Sequence, residues 1–367
     1  MSDYIAFPAL GWKFSISPYL VHNLQLFGLT INIRWYGVMI AVGFLLAMIY
    51  ALRSAKRFGI NSDRMIDVVL VSTLIAFVGA RLYYVVFSDD RASYFANPIS
   101  ILEVWNGGLA IYGGILFAFI TGIVMCRWRK VNTLAMFDLA SLGFLIGQGI
   151  GRWGNFFNQE AFGCNTNSIF GMSGGRIQEW ITDQYPSTTY FANFGTALDA
   201  SQPVHPCFLY ESVWCLLGFV LLALFAKKIR RYDGQIFLIY ICWYGAERAV
   251  VEGLRTDSLV IGNVRVSQIL AICCVVVSVI LQIAIGTKVK RMGVDYHMYK
   301  DTAESKRMLA EYEAGKTGAD TAEDSESNET ESTDDTTDTT TEADASDASA
   351  DNDDTATENC ENENEKE

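Results

Sequence analysis

The chain has 367 residues, 51% of them hydrophobic, with 22 Phe, 17 Tyr and 8 Trp, yet its formal net charge is −13. Residues 320–367 hold 20 Asp and Glu against one basic residue, Lys366, which leaves residues 1–319 at +6. That division excludes a soluble acidic enzyme and a nucleic-acid binder built on a basic surface, and it predicts a membrane protein with an acidic tail.

A helix crossing the bilayer needs about 20 mainly apolar residues. In chain order, spans are predicted at Tyr36–Leu52, Met65–Phe87, Leu109–Cys126, Val131–Ile150, Phe208–Ala226, Gln235–Val251 and Val266–Ile285. Runs this long are helical, because only helices or closed barrels satisfy the backbone in lipid. The expected fold class is an all-α membrane protein with seven transmembrane helices. Four of the spans carry charge, at Asp67 and Arg81, Asp138, Glu211, and Glu247 with Arg248.

Loop charge sets the direction. Basic residues follow the first span (Arg53, Lys56, Arg57, Arg64), the third (RWRK), the fifth (KKIRR) and the seventh (KVKR). The alternate loops are poor in them: Ser88–Gly108 has only Arg91, and Gly151–Cys207 only Arg152 and Arg176. The amino terminus is therefore expected outside and the carboxyl tail in the cytoplasm. The first 30 residues lack a basic start followed by an apolar run, so no cleavable signal peptide is expected. Residues 320–367 have no large apolar side chain and are expected to be disordered. The domain plan is a membrane domain at 1–300, a helical or irregular linker at 301–319 and the acidic tail at 320–367.

Cys126, Cys215, Cys242, Cys273 and Cys274 lie in or beside apolar runs, as small hydrophobes do. Cys164 and Cys207 share one long loop, and their pairing is left open. His22, His205 and His297 are too scattered to suggest a metal site.

The unusual polar motifs all fall at the predicted outer ends of spans. They are INIRWYG with Arg34 and Tyr36, GARLYYV with Arg81, Tyr83 and Tyr84, and WNGGLAIYGG from Trp105 to Gly114. GRWGNFFNQE at Gly151–Glu160, HPCFLYE at His205–Glu211 and YGAERAVVEGLR at Tyr244–Arg255 complete the set. Tyr244, Arg248, Glu252 and Arg255 are spaced +4, +4 and +3, so they share one helix face. Such a stripe is costly against lipid and marks a protein interior or a wet cavity. Arg248 and Glu252 can pair there. Arg152 and Arg248 together suit an anionic head group, since guanidinium forks match phosphate oxygens. Asn155 and Asn158 add donors and acceptors, and Gly107, Gly108, Gly113 and Gly114 would let backbone N–H groups approach the same anion.

These motifs, in this order, resemble the prolipoprotein diacylglyceryl transferase family over roughly residues 15–295. The segment G-R-x-G-N-F-x-N-x-E at Gly151–Glu160, followed by Gly163, matches that family's signature. The resemblance implies an enzyme of the bacterial cytoplasmic (inner) membrane with its active site toward the outer leaflet. It would move the diacylglyceryl group of phosphatidylglycerol to the lipobox cysteine thiol of prolipoproteins, forming a thioether and releasing glycerol phosphate. Its partners would be phosphatidylglycerol, prolipoprotein lipobox peptides and membrane lipids, with no nucleic acid, no metal and no cofactor. Carried over by position, Arg152 and Arg248 hold the head group, with Asn155, Glu160, Gly163, Tyr36, Tyr244 and Glu252 completing the site.

One position departs from the pattern. Many relatives have His, proposed as the base, where this chain has Tyr112, and a phenol is a poor resting base at neutral pH. Either Tyr112 only hydrogen-bonds, or an adjacent arginine activates it, or Glu160, Glu252 or His205 takes the thiol proton. The rival readings are a lipid transporter, which would tend to show two similar halves, and a non-catalytic phospholipid-binding scaffold. No internal repeat is visible.

Overall fold

The computed structural model describes residues 3–26, 29–88, 91–103, 107–184, 198–256, 260–261 and 264–314. Seven long helices dominate these residues: α1 (Trp35–Ser54), α2 (Ser62–Phe87), α3 (Ile111–Trp128), α4 (Thr133–Asn158), α5 (Cys207–Lys228), α6 (Gln235–Val251) and α7 (Val266–Met292). Six of them, α1–α5 and α7, are long and apolar enough to cross a membrane. The remaining predicted span, α6, is a helix of 17 residues.

Local chemistry explains where the helices start and stop. Past α1 the chain turns through a 3-10 segment, Ala55–Phe58, closed by Gly59 at φ 76°. Asn61 then caps α2, its side chain accepting from the Asp63 and Arg64 N–H groups, and Asn132 does the same for α4 through Ala135. The predicted fourth span stops at Ile150, whereas α4 continues through Asn158, so most of GRWGNFFNQE is helical. Helix propensity across that stretch outweighs its two glycines once both faces are packed.

Short strands, which the all-α expectation omitted, occupy the segments outside the spans. β1 (Tyr4–Phe7) and β2 (Trp12–Ser15) form a hairpin, and β3 (Tyr19–Leu26) with β4 (Leu29–Arg34) forms a second that runs directly into α1. Ser173–Gly174 adds a short strand to β1. The four-residue strands β1 and β2 give too little alternation to stand out beside 20-residue apolar runs.

Two buried clusters sit at opposite ends of the helices. One gathers Phe58, Ile60, Met65, Cys126, Leu139, Leu142 and Ile236 near the basic loops. The other gathers Ile5, Phe7, Phe156, Phe162, Met172 and Phe208 beneath the strands. The helices' outer surfaces are apolar and exposed, with Leu74, Phe77, Val250 and Ile283 each more than 60% accessible. That surface is suited to lipid.

Neighbouring helices are joined by polar locks as well. Trp214 on α5 and Trp243 on α6 stack at 4.3 Å, and each indole N–H donates to the other residue's carbonyl at 3.0 and 3.1 Å. At the basic-loop end, Asp138 of α4 is fully buried. It accepts from the Gly234 and Phe237 N–H groups at 2.9 Å each and pairs with Arg230 at 3.4 Å. A carboxylate at a helix start meets unsatisfied N–H groups and the positive end of the dipole. Asp138→Ala is expected to lower stability by about 3 kcal/mol, because a buried Arg230 loses a partner. Thermal unfolding in detergent reads this as a lower Tm.

Residues 303–314 are helical, and the compact unit runs from Met1 to Ala314. Ser305 is fully buried and donates to the Gly59 carbonyl at 2.8 Å, while the Tyr299 N–H donates to Asp233 at 2.7 Å. The acidic segment 320–367 lies outside the described residues.

Candidate active site

The last turns of α4 carry Arg152, Asn155 and Asn158. The helix ends where Gln159 takes φ 56°, and Ala161 follows at φ 57°, which turns the chain back across the helix ends. Both Asn side chains donate to Glu160 Oε1, Asn155 at 3.0 Å and Asn158 at 3.3 Å. The signature motif thus builds its own anchored carboxylate. Tyr36, in the first turn of α1, lays its ring on Gly154: a Cβ there would stand 2.5 Å from Tyr36 Cδ2. Glycine at this position permits the contact.

Beyond the turn, Gly163 bridges to Arg255, and its N–H donates to the His205 carbonyl at 2.9 Å. A Cβ on Gly163 would meet His205 Cβ at 2.8 Å and Cys207 Sγ at 3.0 Å. This residue therefore holds the end of α6 to the start of α5 by packing. His205 Nδ1 shares a 3.1 Å hydrogen bond with the Tyr210 hydroxyl. Burial holds its imidazole below the usual histidine pKa. Cys164 and Cys207 are both free thiols.

Glu211, one turn into α5, is the centre of the site and fully buried. Arg152 reaches Glu211 Oε2 at 3.0 Å, Arg248 reaches Oε1 at 3.1 Å, and Arg255 lies 3.7 Å from Oε1. Arg248 also pairs with Glu252 at 2.6 Å, the pair that the +4 spacing anticipated. Arg265, at the foot of α7, donates to the Glu252 carbonyl. Glu252 and Glu247 are 1% and 6% exposed. Tyr244 stacks on Tyr240 and lies in the electrostatic field of Arg152 and Arg248. Three helices thus converge their charges on one point. An isolated buried carboxylate costs several kcal/mol, and the guanidiniums around Glu211 offset that cost.

The two glycine pairs have close contacts within the protein. Arg81 is buried and donates to the Gly107 and Gly108 carbonyls at 2.8 and 3.0 Å, and to Ser100 and Ile101 at 2.8 Å each. The first pair, at φ 89° and 77°, presents its carbonyls to this resident arginine. Gly113 packs on Tyr83 and the Gly79 carbonyl, and Gly114 lies near Ala76 and Ala80, so the second pair seats α3 on α2. Tyr112, in the first turn of α3, is 46% exposed. Trp105 lies outside the described residues.

Glu211 and Glu247 were not among the expected site residues, and Arg255 was expected only as part of the polar helix face. The available signal was burial by context, since a lone carboxylate inside an apolar span needs a cationic partner.

The sequence profile of the prolipoprotein diacylglyceryl transferase family matches residues 24–284, from β3 into α7. The chain belongs to this family. Among curated relatives, the phosphatidylglycerol–prolipoprotein diacylglyceryl transferase of Staphylococcus saprophyticus is 37% identical over 272 residues, covering 74% of this chain and 90% of the relative. The enzyme of the same name from Staphylococcus haemolyticus is 38% identical over 255 residues, covering 69% and 84%. That of Staphylococcus aureus is 36% identical over 252 residues, covering 68% and 84%. In this diacylglyceryl transferase family member the matched region contains all of the charge cluster, and the hairpin of β1 and β2 lies outside it.

Because Tyr112 stands exposed while Arg152 lies in the buried cluster, Tyr112→Phe is expected to reduce transfer by less than about tenfold, the scale of one neutral hydrogen bond. Arg152→Ala is expected to cost far more. Comparing kcat/KM of the two variants checks this, and an equal loss would make the phenol essential.

Proposed function

We propose that the protein transfers the diacylglyceryl group of phosphatidylglycerol to the lipobox cysteine of prolipoproteins, with Arg152 and Arg248 holding the phosphate. The observation that carries this reading is the convergence of three arginines on buried Glu211, with Arg152 and Arg248 still 20% accessible. Chemistry and geometry agree. The thiolate attacks the glyceryl carbon, a C–S bond forms, and the C–O electron pair passes to the departing phosphate. The phosphate gains negative charge as it leaves, and fixed guanidiniums stabilise that charge without changing protonation.

A groove of about 540 Å³ between α2, α3, α4 and α6, lined by Ala76, Phe77, Ile115, Phe144, Gln148 and Tyr240, has the apolar lining that acyl chains require. Gln148 donates to the Tyr240 hydroxyl at 3.0 Å, and Tyr240 stacks on Tyr244, which links the groove to the charge cluster. Asn155, Glu160, Glu252, Tyr36 and Tyr244 complete the lipid site.

All seven helices cross the bacterial inner membrane, with the amino terminus outside and the site facing the outer leaflet. The segregation of basic loops to the end opposite Arg152 supports this orientation. Residues 1–300 are the transferase domain, 301–319 the linker and 320–367 an acidic cytoplasmic extension. Purified protein mixed with phosphatidylglycerol vesicles and a lipobox peptide is expected to yield the thioether by mass. A peptide with Ser for Cys is expected to yield none, and no product from the Cys peptide would sink the assignment.

A further inference from the structure

A second apolar groove, of about 590 Å³, adjoins the helix turns that carry the charge cluster. The acyl groove uses the face of α4 with Phe144 and Gln148, whereas this one uses the face with Trp153 and Phe156. Phe208, in the first turn of α5, forms a further wall, and Trp12 and Phe14 of β2 line the outer side. Groove and cluster are built on the same turns. Trp153 follows Arg152, and Phe208 lies one turn before Glu211. The Trp153 indole N–H donates at 3.2 Å to Ser212, the neighbour of Glu211.

The first hairpin leaves this groove unfinished. Its strands pair Ile5 with Phe14 and Phe7 with Trp12, which puts these four side chains on one face of the sheet. Ile5 and Phe7 are buried in the cluster with Phe156 and Phe208, but Trp12 and Phe14 remain 57% and 45% exposed. The opposite face is polar, with Lys13 over the Tyr4 ring and the Tyr4 hydroxyl donating to Gln178. β2 is also the edge of its sheet, whose order is β2, β1, then Ser173–Gly174. All four of its residues are exposed. An edge strand offers N–H and C=O groups to one more strand, whose side chains would point alternately into and away from the groove.

We infer that this groove seats the prolipoprotein. The segment next to the reactive cysteine lies extended along β2, with alternate apolar side chains among Trp12, Phe14 and Trp153. This rests on the transferase reading above and gives its second substrate a place, since the acyl groove is filled by the first. Main-chain hydrogen bonds accept any side chain, which suits a class of substrates rather than one sequence. A lipid tail would use the aromatic rings but has no donor or acceptor for the strand edge.

The test uses detergent micelles in which phosphatidylglycerol and a synthetic lipobox peptide are varied separately. Trp12→Ala with Phe14→Ala is expected to raise the peptide KM by at least about tenfold, the scale of one large apolar side chain left unburied. The KM for phosphatidylglycerol is expected not to move. In wild type, N-methylation of the peptide backbone is expected to weaken binding at alternate positions only, since a strand edge meets every second N–H. A benzophenone beside the peptide cysteine is expected to cross-link to Trp12, Phe14 or Trp153, a readout that needs no turnover. Both wild-type readouts hold whether or not the double variant folds. An unmoved peptide KM in the folded double variant overturns the inference. So does a rise confined to phosphatidylglycerol, the result for a membrane anchor, or cross-linking confined to α2 and α3. N-methyl sensitivity without alternation removes the strand pairing. Should the cross-link form while wild type yields no thioether, the transferase reading fails and the peptide groove stands.

Discussion

Arg248→Ala is expected to reduce thioether formation by at least about 10²–10³-fold, the scale of losing one fixed donor to a developing anion. The side chain has two tasks. One terminal nitrogen meets Glu211 at 3.1 Å and the other meets Glu252 at 2.6 Å, so the guanidinium joins α6 to α5, and in the proposed reaction it also holds the phosphate. Truncation also weakens the fold, by about 3 kcal/mol, because the buried carboxylates Glu211 and Glu252 each lose a partner. The two effects are separable. Arg248→Lys keeps the charge but not the planar fork, and it is expected to regain stability more than turnover. Thermal unfolding and product mass measured on the same preparations check both. Near-normal transfer by folded Arg248→Ala would remove this residue from the mechanism.

Glu211→Ala is expected to have the largest effect on stability, about 3–5 kcal/mol, since Arg152, Arg248 and Arg255 all lose the carboxylate that holds them together. Transfer falls with it by about 100-fold, because unanchored guanidiniums no longer meet the phosphate in one geometry. The pair Glu211→Ala with Arg248→Ala is expected to cost clearly less than the sum of the single changes, as groups in one ion-pair network couple. Unfolding free energies for the four proteins of that cycle measure the coupling. Strict additivity would mean that the contact contributes nothing.

The parts of this protein that sequence reasoning reached are those written in long-range pattern. Seven apolar runs became seven helices, since a 20-residue run in lipid has few alternatives. The +4 spacing of Arg248 and Glu252 put both on one face, and they pair. What escaped was partnership across helices. Glu211 reads as one carboxylate in HPCFLYE, and nothing in that string says that three arginines from two other segments will meet it. The glycine pairs are ambiguous in sequence for the opposite reason: small residues serve anion binding and helix contact alike, and the structure adds the Arg81 and Tyr83 contacts. The strands escaped because four-residue segments such as Tyr4–Phe7 carry almost no periodic signal.

The crossed indoles of Trp214 and Trp243 bear on how a bulky lipid gets in. They join α5 and α6, the two helices that bear Glu211 and Arg248, by a reciprocal pair of hydrogen bonds in addition to the ion pair between those residues. On the opposite wall of the groove α2 and α3 are joined differently, by the close approach of Gly113 to the Gly79 carbonyl and by the buried Arg81, which has no ion-pair partner among the described residues but binds the carbonyls of the segment before α3.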